Sequence, residues 1–89
     1  MSRAVLLTAA AWDDYTYWQV QDKKTLRRIN LLIESARRDP FNGICKPEPL
    51  VGNLSGYWSR RIDDVHRLVY AADDDDDELV VIAYRGHYQ

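Results

Sequence analysis

The fold is decided by residues 57–85, YWSRRIDDVHRLVYAADDDDDELVVIAYR, close to the end of the 89-residue chain. Three segments rich in aromatic and aliphatic residues, 57–62, 66–71 and 79–85, are separated by two acidic segments. Apolar segments of this length between polar turns are typical of β-strands, so the stretch predicts an antiparallel three-stranded meander. The last segment is apolar at even and odd positions alike, which predicts a strand inside the sheet rather than at its edge.

The first 21 residues predict a short strand and a helix. Residues 3–7 are mostly apolar and form the strand, and Thr8 can cap the helix by accepting a hydrogen bond from its first turn. Aromatic residues then recur at three-residue spacing, which predicts a buried stripe: Trp12, Tyr15 and Trp18. Asp13 and Asp14 are expected to face away from it.

A second, longer helix is predicted from the cap residue Asp22 to about Arg38. Its buried stripe is expected to consist of Leu26, Ile29, Ile33 and Ala36. Asp39-Pro40 ends it, because proline cannot continue the hydrogen-bond ladder. The whole chain, residues 1–89, is therefore predicted to be one α+β domain of order β-α-α-β-β-β, with both helices on one face of a twisted antiparallel sheet.

Composition and charge restrict the class of protein. The single cysteine, Cys45, cannot form an internal disulfide, which fits a reducing cytoplasm. The apolar run that ends at Leu7 is too short for a signal peptide or a membrane span, so we expect a cytoplasmic protein that does not bind membranes. The net charge is −2, but six of the fourteen acidic residues lie in residues 73–78. The other eight face twelve basic residues, a balance of +4, so a nucleic acid remains a candidate substrate if a partner helps to deliver it.

The hairpin around residues 63–65 places two arginines together. If Ile62 pairs with His66, Arg61 stands directly opposite Arg67. Like charges across a ladder are destabilising. Either solvent and the turn residues Asp63 and Asp64 neutralise them, or the pair is an anion site that becomes favourable when a phosphate lies between the guanidinium groups.

Two further residues could move protons. Glu48 lies between two prolines, which stiffen the backbone around its carboxylate. His87 follows the last predicted strand, and an imidazole suits proton transfer near neutral pH. Most surface glutamates and terminal histidines have no such role, but together with the arginines they supply the base, the cations and the acid needed to cleave RNA through its 2′-hydroxyl. Cys45, His66 and His87 lack the spacing of a zinc site, so neither a metal nor a cofactor is expected.

Several blocks of the chain carry a family resemblance: 12–15 (WDDY), 17–18 (YW), 37–41 (RRDPF), 46–50 (KPEPL), 53–62 (NLSGYWSRRI), 66–70 (HRLVY) and 87–88 (HY). They resemble the Txe/YoeB toxins of the RelE/ParE superfamily, and the likeness covers nearly the whole chain. It implies a microbial-RNase-like fold and cleavage of messenger RNA in the ribosomal A site, without a metal. The products implied are a 2′,3′-cyclic phosphate and a 5′-hydroxyl.

The resemblance also implies roles for single residues. Glu48 would be the general base, His87 the general acid, and Arg67 the group that stabilises the phosphorane, while Tyr88 would shape the site. The residues implied to contact RNA are Arg61, Lys46 and Arg60. The implied partners are the ribosome, a YefM/Phd-like antitoxin with an acidic disordered tail, and a second toxin copy in a homodimer.

Two other functions are open from the sequence. The same fold could be a binding toxin without nuclease activity, like the ParE group, but such a toxin would not need the set Glu48, Arg67 and His87. The chain could also be a non-toxic module that only grips an acidic peptide, in which case its expression without an antitoxin would be harmless.

Overall fold

The computed structural model describes residues 3–83, which form two helices and a five-stranded sheet. The elements are β1 (Ala4–Leu7), α1 (Ala9–Gln21), α2 (Lys23–Arg38), β2 (Glu48–Pro49), a 3₁₀ turn (Gly52–Leu54), β3 (Trp58–Arg61), β4 (Arg67–Asp73) and β5 (Glu78–Ala83). The α+β class and the predicted element order are confirmed, and the two-residue strand β2 is an addition.

The strands lie in the order β1-β5-β4-β3-β2. Strands β3, β4 and β5 form the predicted antiparallel meander, whereas β1 pairs with β5 in parallel, so the sheet is mixed. The prediction that the last strand is internal is confirmed, since β5 lies between β1 and β4.

Both predicted helix caps are present. The hydroxyl of Thr8 accepts a hydrogen bond from the backbone N–H of Ala11 at 3.2 Å. The carboxylate of Asp22 accepts from the N–H groups of Lys24 and Thr25 at 3.1 and 3.2 Å. Each cap satisfies N–H groups that have no partner inside the helix. The cap at Asp22 allows α2 to begin at Lys23, directly after α1 ends at Gln21.

The core lies between the two helices and one face of the sheet. Its buried members are Ala11, Trp18, Ile29, Leu32, Ala36, Ile62, Leu68, Tyr70, Leu79 and Val81. In α2 the predicted Ile29 and Ala36 are buried, Leu26 and Ile33 are partly buried, and Leu32 completes the stripe.

The predicted stripe of α1 is wrong at two positions. Trp12 is 54% exposed, and Asp14, which was expected to face away, is buried. The buried stripe is Ala11, Asp14 and Trp18, one residue out of phase with the aromatic spacing. Ala11 is completely enclosed where the first turn of α1 packs near the sheet, a place that a small side chain fits.

A bulge changes the direction of β5. Tyr70 pairs with Val81 but Val69 pairs with Ala83, which leaves Ile82 as an extra residue. Such an insertion reverses the face on which the following side chains point. Ala83 therefore lies beside Val69 on the face away from the helices, which we call the outer face.

Neither of the helices in residues 3–83 is long and apolar enough to cross a lipid bilayer.

Candidate active site

The outer face of β2, β3 and β4 carries three of the charged residues predicted for the site, Glu48, Arg61 and Arg67. Arg61 pairs with Arg67 across β3 and β4, which confirms the register inferred for the hairpin. Glu48 pairs with Ser59 across β2 and β3. Because alternate residues of a strand share a face, Ser59 and Arg61 lie on the same side of β3, about 7 Å apart along the strand. The fold thus brings Glu48, Arg61 and Arg67 together on one face.

The arginine pair is only partly neutralised by the hairpin turn. One guanidinium nitrogen of Arg61 lies 2.7 Å from a carboxylate oxygen of Asp64, and its Nε donates to the carbonyl of Asp63 at 3.3 Å. The Asp64 side chain is 95% exposed, and an ion pair of that kind contributes at most about 1 kcal/mol. The guanidinium of Arg67 makes no hydrogen bond or ion pair with any residue between 3 and 83. A phosphate can therefore bind the pair without breaking a strong contact.

The turn that sets this register is held by Asp63. Its carboxylate accepts hydrogen bonds from the backbone N–H groups of Val65 and His66 at 2.8 and 2.7 Å. Partial burial raises the pKa of Asp63, but the two N–H donors outweigh it and the pKa lies below its ordinary value. The carboxylate is therefore ionised at neutral pH and fixes the loop length on which the Arg61–Arg67 pairing depends.

The base candidate, Glu48, stands on the short edge strand β2. This strand is aligned by the hydrogen bond from the N–H of Leu50 to the carbonyl of Tyr57 at 2.9 Å. Glu48 is exposed, and its carboxylate forms no ion pair within the described part of the chain. A carboxylate that is not held by a cation remains available to accept a proton.

Strained backbone precedes the base. Cys45 and Lys46 have φ values of 61° and 52°, in the left-handed region that residues with a side chain rarely adopt. The segment is held there because the carbonyl of Cys45 accepts from the N–H of Arg61 at 3.1 Å, while the Arg28 guanidinium lies 3.3 Å from the Cys45 sulfur. The left-handed turn places the exposed Lys46 beside the end of β3 that carries Arg61, where the sequence predicted an RNA contact.

We expect two replacements of Lys46 to differ in stability although both remove its charge. Lys46→Val should lower the free energy of unfolding by about 1–2 kcal/mol, because a β-branched residue at positive φ is strained. Lys46→Gly should leave it within about 1 kcal/mol of wild type, since glycine adopts this conformation freely but gains entropy in the unfolded chain. Urea denaturation measures both, and equal stability of the two variants would show that the left-handed turn is not a constraint.

Arg60 has a different environment from the one predicted for it. It was expected to contact RNA, but it is 0% exposed and lies on the helix side of β3. Its five N–H groups make five hydrogen bonds, to the Tyr70 and Ser35 hydroxyls and to three backbone carbonyls, those of Asp39, Asn42 and Ile44. RNA cannot reach this guanidinium in the folded protein, so Arg60 is a structural residue. The sequence carried the signal, because Arg60 lies two residues from the apolar residues Trp58 and Ile62, and alternate residues of a strand share a face.

The hydrogen bonds of Arg60 fasten the loop that leads to the base. The phenol of Tyr70 accepts a hydrogen bond from Arg60 at 2.9 Å and donates one to the carbonyl of Pro40 at 2.6 Å, which ties Arg60 to the start of the loop. Burial raises the pKa of this phenol, so it remains protonated and able to donate. Gly43 has a φ of 124°, and a Cβ there would lie 2.5 Å from the Ser35 hydroxyl and 3.1 Å from the Arg60 guanidinium. Residues 39–44 therefore wrap closely around the buried cation before the chain reaches Lys46 and Glu48.

One group of carboxylates is close enough to hold a cation among the described residues. Ligand atoms of Asp73, Asp76 and Glu78 lie within 4.8 Å of one another in the β4–β5 hairpin. The carboxylate of Asp73 already accepts from the N–H groups of Asp75 and Asp76 at 3.0 and 3.2 Å, a turn-capping role. The hairpin tip is remote from Glu48 along the sheet, because it follows the far end of β4.

The predicted acid His87 and its neighbour Tyr88 lie outside the described residues. Their roles therefore stay predictions. The described chain ends at Ala83, which the bulge has placed on the outer face next to Val69.

The family model for the YoeB-like toxin of bacterial type II toxin–antitoxin systems matches residues 7–88. The chain belongs to this YoeB-like toxin family. A toxin YoeB from Synechocystis is 58% identical over 85 residues, which cover 96% of this chain and 96% of that toxin.

Solved structures of YoeB-like toxins have the same fold. A YoeB/ParE toxin from Agrobacterium tumefaciens superposes with a TM-score of 0.92 at 47% identity, covering 96% of this chain and 99% of the other. A YoeB dimer from Staphylococcus aureus gives a TM-score of 0.89 at 40% identity, covering 99% and 100% of the two chains. A YoeB–YefM complex from the same organism gives 0.86 at 39% identity with the same coverage.

Proposed function

We propose that this YoeB-like toxin is a ribosome-dependent endoribonuclease that cleaves messenger RNA in the A site and so inhibits translation. The observation that carries the proposal is the convergence of Glu48, Arg61 and Arg67 on one sheet face. A carboxylate without a cation partner next to two guanidinium groups is an arrangement suited to activating a ribose hydroxyl beside a phosphate.

The reaction needs no metal. Glu48 removes the proton of the 2′-hydroxyl, and the 2′-oxygen attacks the adjacent phosphorus. Arg67 binds the non-bridging oxygens as negative charge develops on the phosphorane, which is commonly worth a few kcal/mol of barrier. The 5′-oxygen leaves with a proton from His87, which yields a 2′,3′-cyclic phosphate and a 5′-hydroxyl.

Arg61 and Lys46 hold the RNA backbone, and Tyr88 shapes the site. Arg61 exchanges Asp64, an exposed and weakly held partner, for a phosphate when RNA binds. His87 follows Ala83 by four residues, and a fully extended chain of that length spans at most about 14 Å. This length is the greatest distance from Ala83 at which the Cα atom of His87 can lie when it acts in the site.

The ribosome supplies the affinity for RNA that this chain lacks. The net charge of −2 gives no overall attraction for a polyanion, and the cations of the site are few and local. Binding in the A site would present a single message at high local concentration, so that a small site with modest affinity is sufficient.

We further propose two protein partners. The YoeB–YefM complex among the structural relatives supports an antitoxin partner, and the exposed Arg61 and Lys46 suit an acidic segment of such an antitoxin. The YoeB dimer supports association with a second copy. An acidic antitoxin segment on the outer face would exclude RNA from the arginine pair.

Primer extension on a translated message tests the proposed activity. Purified protein should produce new 5′ ends within codons at the A site, and these ends should accept a phosphate from polynucleotide kinase without prior dephosphorylation. Cleavage should persist when excess chelator is added to remove divalent metal ions, in an assay on stalled ribosome complexes that stay assembled under this condition. Cleavage should stop when an antitoxin of the YefM class is added. An uncut message on programmed ribosomes would rule out the nuclease and leave a binding toxin.

A further inference from the structure

An open cavity of about 560 Å³ lies on the outer face of the sheet, next to the proposed site. Tyr57 borders it together with Ala71 of β4 and Val80 of β5, which are paired with each other in the sheet. The β4–β5 turn closes one end, where the lining residues are Asp73, Asp74 and Asp75. The volume is within the range of about 300–1,000 Å³ that is typical of pockets for small organic groups.

The position of the cavity relative to the site gives a direction along a bound RNA strand. Arg61 follows Tyr57 by four residues, about 14 Å along an extended chain, and Ser59, the partner of Glu48, lies between them. In the proposed reaction Glu48 faces the 2′-hydroxyl and Arg61 faces the phosphate. That hydroxyl belongs to the nucleotide on the 5′ side of the phosphate. A strand bound in this way therefore runs toward the cavity in its 5′ direction, and a base within two nucleotides of the cut reaches Tyr57.

The groups around the cavity suit a base and not a phosphate. Tyr57 is half-buried, and within the described chain its ring makes no ring contact and its phenol no hydrogen bond. Such a ring is free to stack on an unpaired base. The carboxylates of the turn repel phosphates, but Asp73 follows Arg67 by six residues, about 20 Å along the strand, and charges this far apart are largely screened. The phosphate therefore stays at the arginines while the uncharged base enters the cavity.

Asp73 is the carboxylate best placed to meet such a base. It lies two residues after Ala71 on the same strand, so its side chain is on the outer face. Its Oδ1 accepts from the N–H groups of Asp75 and Asp76, whereas its Oδ2 makes no hydrogen bond with the described part of the chain. Asp74, by contrast, is paired with Arg3. A carboxylate oxygen only accepts hydrogen bonds, so it favours the amino group of cytosine or adenine over the carbonyl oxygen of uracil.

We propose that this cavity binds an unpaired base on the 5′ side of the cut, with Tyr57 stacking on the base and Asp73 accepting a hydrogen bond from its exocyclic amino group. The inference rests on the function proposed above and adds a determinant of sequence preference to it. The toxin then selects among messages by the chemistry of one base, although its arginines bind every phosphate alike.

Messages that differ in one pyrimidine test the proposal. The cut is mapped first, and each of the two nucleotides on its 5′ side is then changed between cytosine and uracil, which have the same ring and differ in the amino group. Single-turnover cleavage on programmed ribosomes by wild type should be about tenfold or more faster with cytosine at one of these positions, the usual effect of a hydrogen bond to a charged group. The same change on the 3′ side of the cut should have little effect.

Two variants assign the preference to its residues. Asp73→Asn keeps one oxygen for the turn but presents an amide N–H group to the cavity, so the preference for cytosine should disappear or reverse. Tyr57→Ala should cleave both messages about tenfold more slowly because stacking is lost, and Tyr57→Phe should cleave like wild type. The preference is a ratio within one variant, so a change in stability affects both messages equally.

Asp76→Asn is the matched control, because Asp76 belongs to the same turn but does not line the cavity. It should keep the wild-type preference. Equal cleavage of the cytosine and uracil messages by wild type at both positions, or an unchanged preference in Asp73→Asn, overturns the base site while the nuclease function stands. Absence of cleavage by wild type on every message overturns both proposals.

Discussion

Replacing Glu48 with glutamine is expected to slow cleavage of messenger RNA on programmed ribosomes by about two to four orders of magnitude. Glutamine has nearly the same shape as glutamate but cannot take the proton of the 2′-hydroxyl. Since Glu48 is exposed and forms no ion pair within the described residues, the change should leave the free energy of unfolding almost unaltered. Single-turnover primer extension and urea denaturation measure the two quantities.

Glu34→Gln is the matched control for this experiment. Glu34 is another accessible glutamate, but it lies on α2 and its carboxylate is 3.6 and 3.5 Å from Arg37 and Arg38. It should cut at the wild-type rate. His87→Gln should be as impaired as Glu48→Gln, and the double variant should be little worse than either, because acid and base act in one step. If Glu48→Gln remains fully active, Glu48 is not the base and the mechanism proposed for this site is wrong.

Replacing Arg60 with lysine is expected to lower the free energy of unfolding by about 3 kcal/mol or more. The ammonium group has three N–H donors at one point, whereas five acceptors surround the guanidinium in a planar arrangement. Lysine would therefore leave buried carbonyl or hydroxyl groups unpaired, each at a cost of about 1–3 kcal/mol. A domain with a total stability of about 5–15 kcal/mol would lose a large fraction of it.

Urea denaturation of two separate variants, Arg60→Lys and Arg38→Lys, measures this effect. The comparison distinguishes the loss of the hydrogen bonds around Arg60 from any general effect of replacing an arginine with lysine. Arg38 ends α2 with a side chain that is 72% exposed, so its replacement should change stability by no more than about 0.5 kcal/mol. Cleavage by Arg60→Lys should also fall under conditions where it is folded, since the loop of residues 39–44 positions the segment that carries Glu48. Equal stability of the two variants would mean that the buried guanidinium is not needed to hold this loop.

Local signals predicted much of this fold. The caps at Thr8 and Asp22, the end of α2 before Pro40 and the register of the β3–β4 hairpin all follow from residues that interact within a few positions of one another. The parallel pairing of β1 with β5 joins segments more than seventy residues apart, and nothing in either segment encodes its partner.

The candidate site was also predicted only in part, because local contacts can be inferred from the sequence and distant ones cannot. Opposition of Arg61 and Arg67 is a property of one hairpin, and it was derived from the sequence. Strand β2 was not predicted, because the two prolines around Glu48 indicate a loop. Only its pairing with β3 makes this segment a strand. The placement of Glu48 opposite Ser59 and the burial of Arg60 both depend on how the loop of residues 39–49 folds back over the sheet. That path is fixed by the five acceptors around Arg60, which lie in α2, in the loop of residues 39–44 and in β4.

The prolines on each side of Glu48 have a consequence for how other chains can approach. In an antiparallel edge strand the N–H and C=O groups of successive residues point alternately toward the neighbouring strand and away from it. The N–H of Leu50 points toward β3, because it donates to the carbonyl of Tyr57. The backbone groups of residues 47 and 49 therefore point away from the sheet. Both are prolines, so this rim of the sheet offers no amide hydrogen to a neighbouring strand. A strand from another molecule could bond only to the two proline carbonyls, which makes extension of the sheet unfavourable here. We therefore expect an inhibitor that covers the carboxylate to do so mainly through side chains.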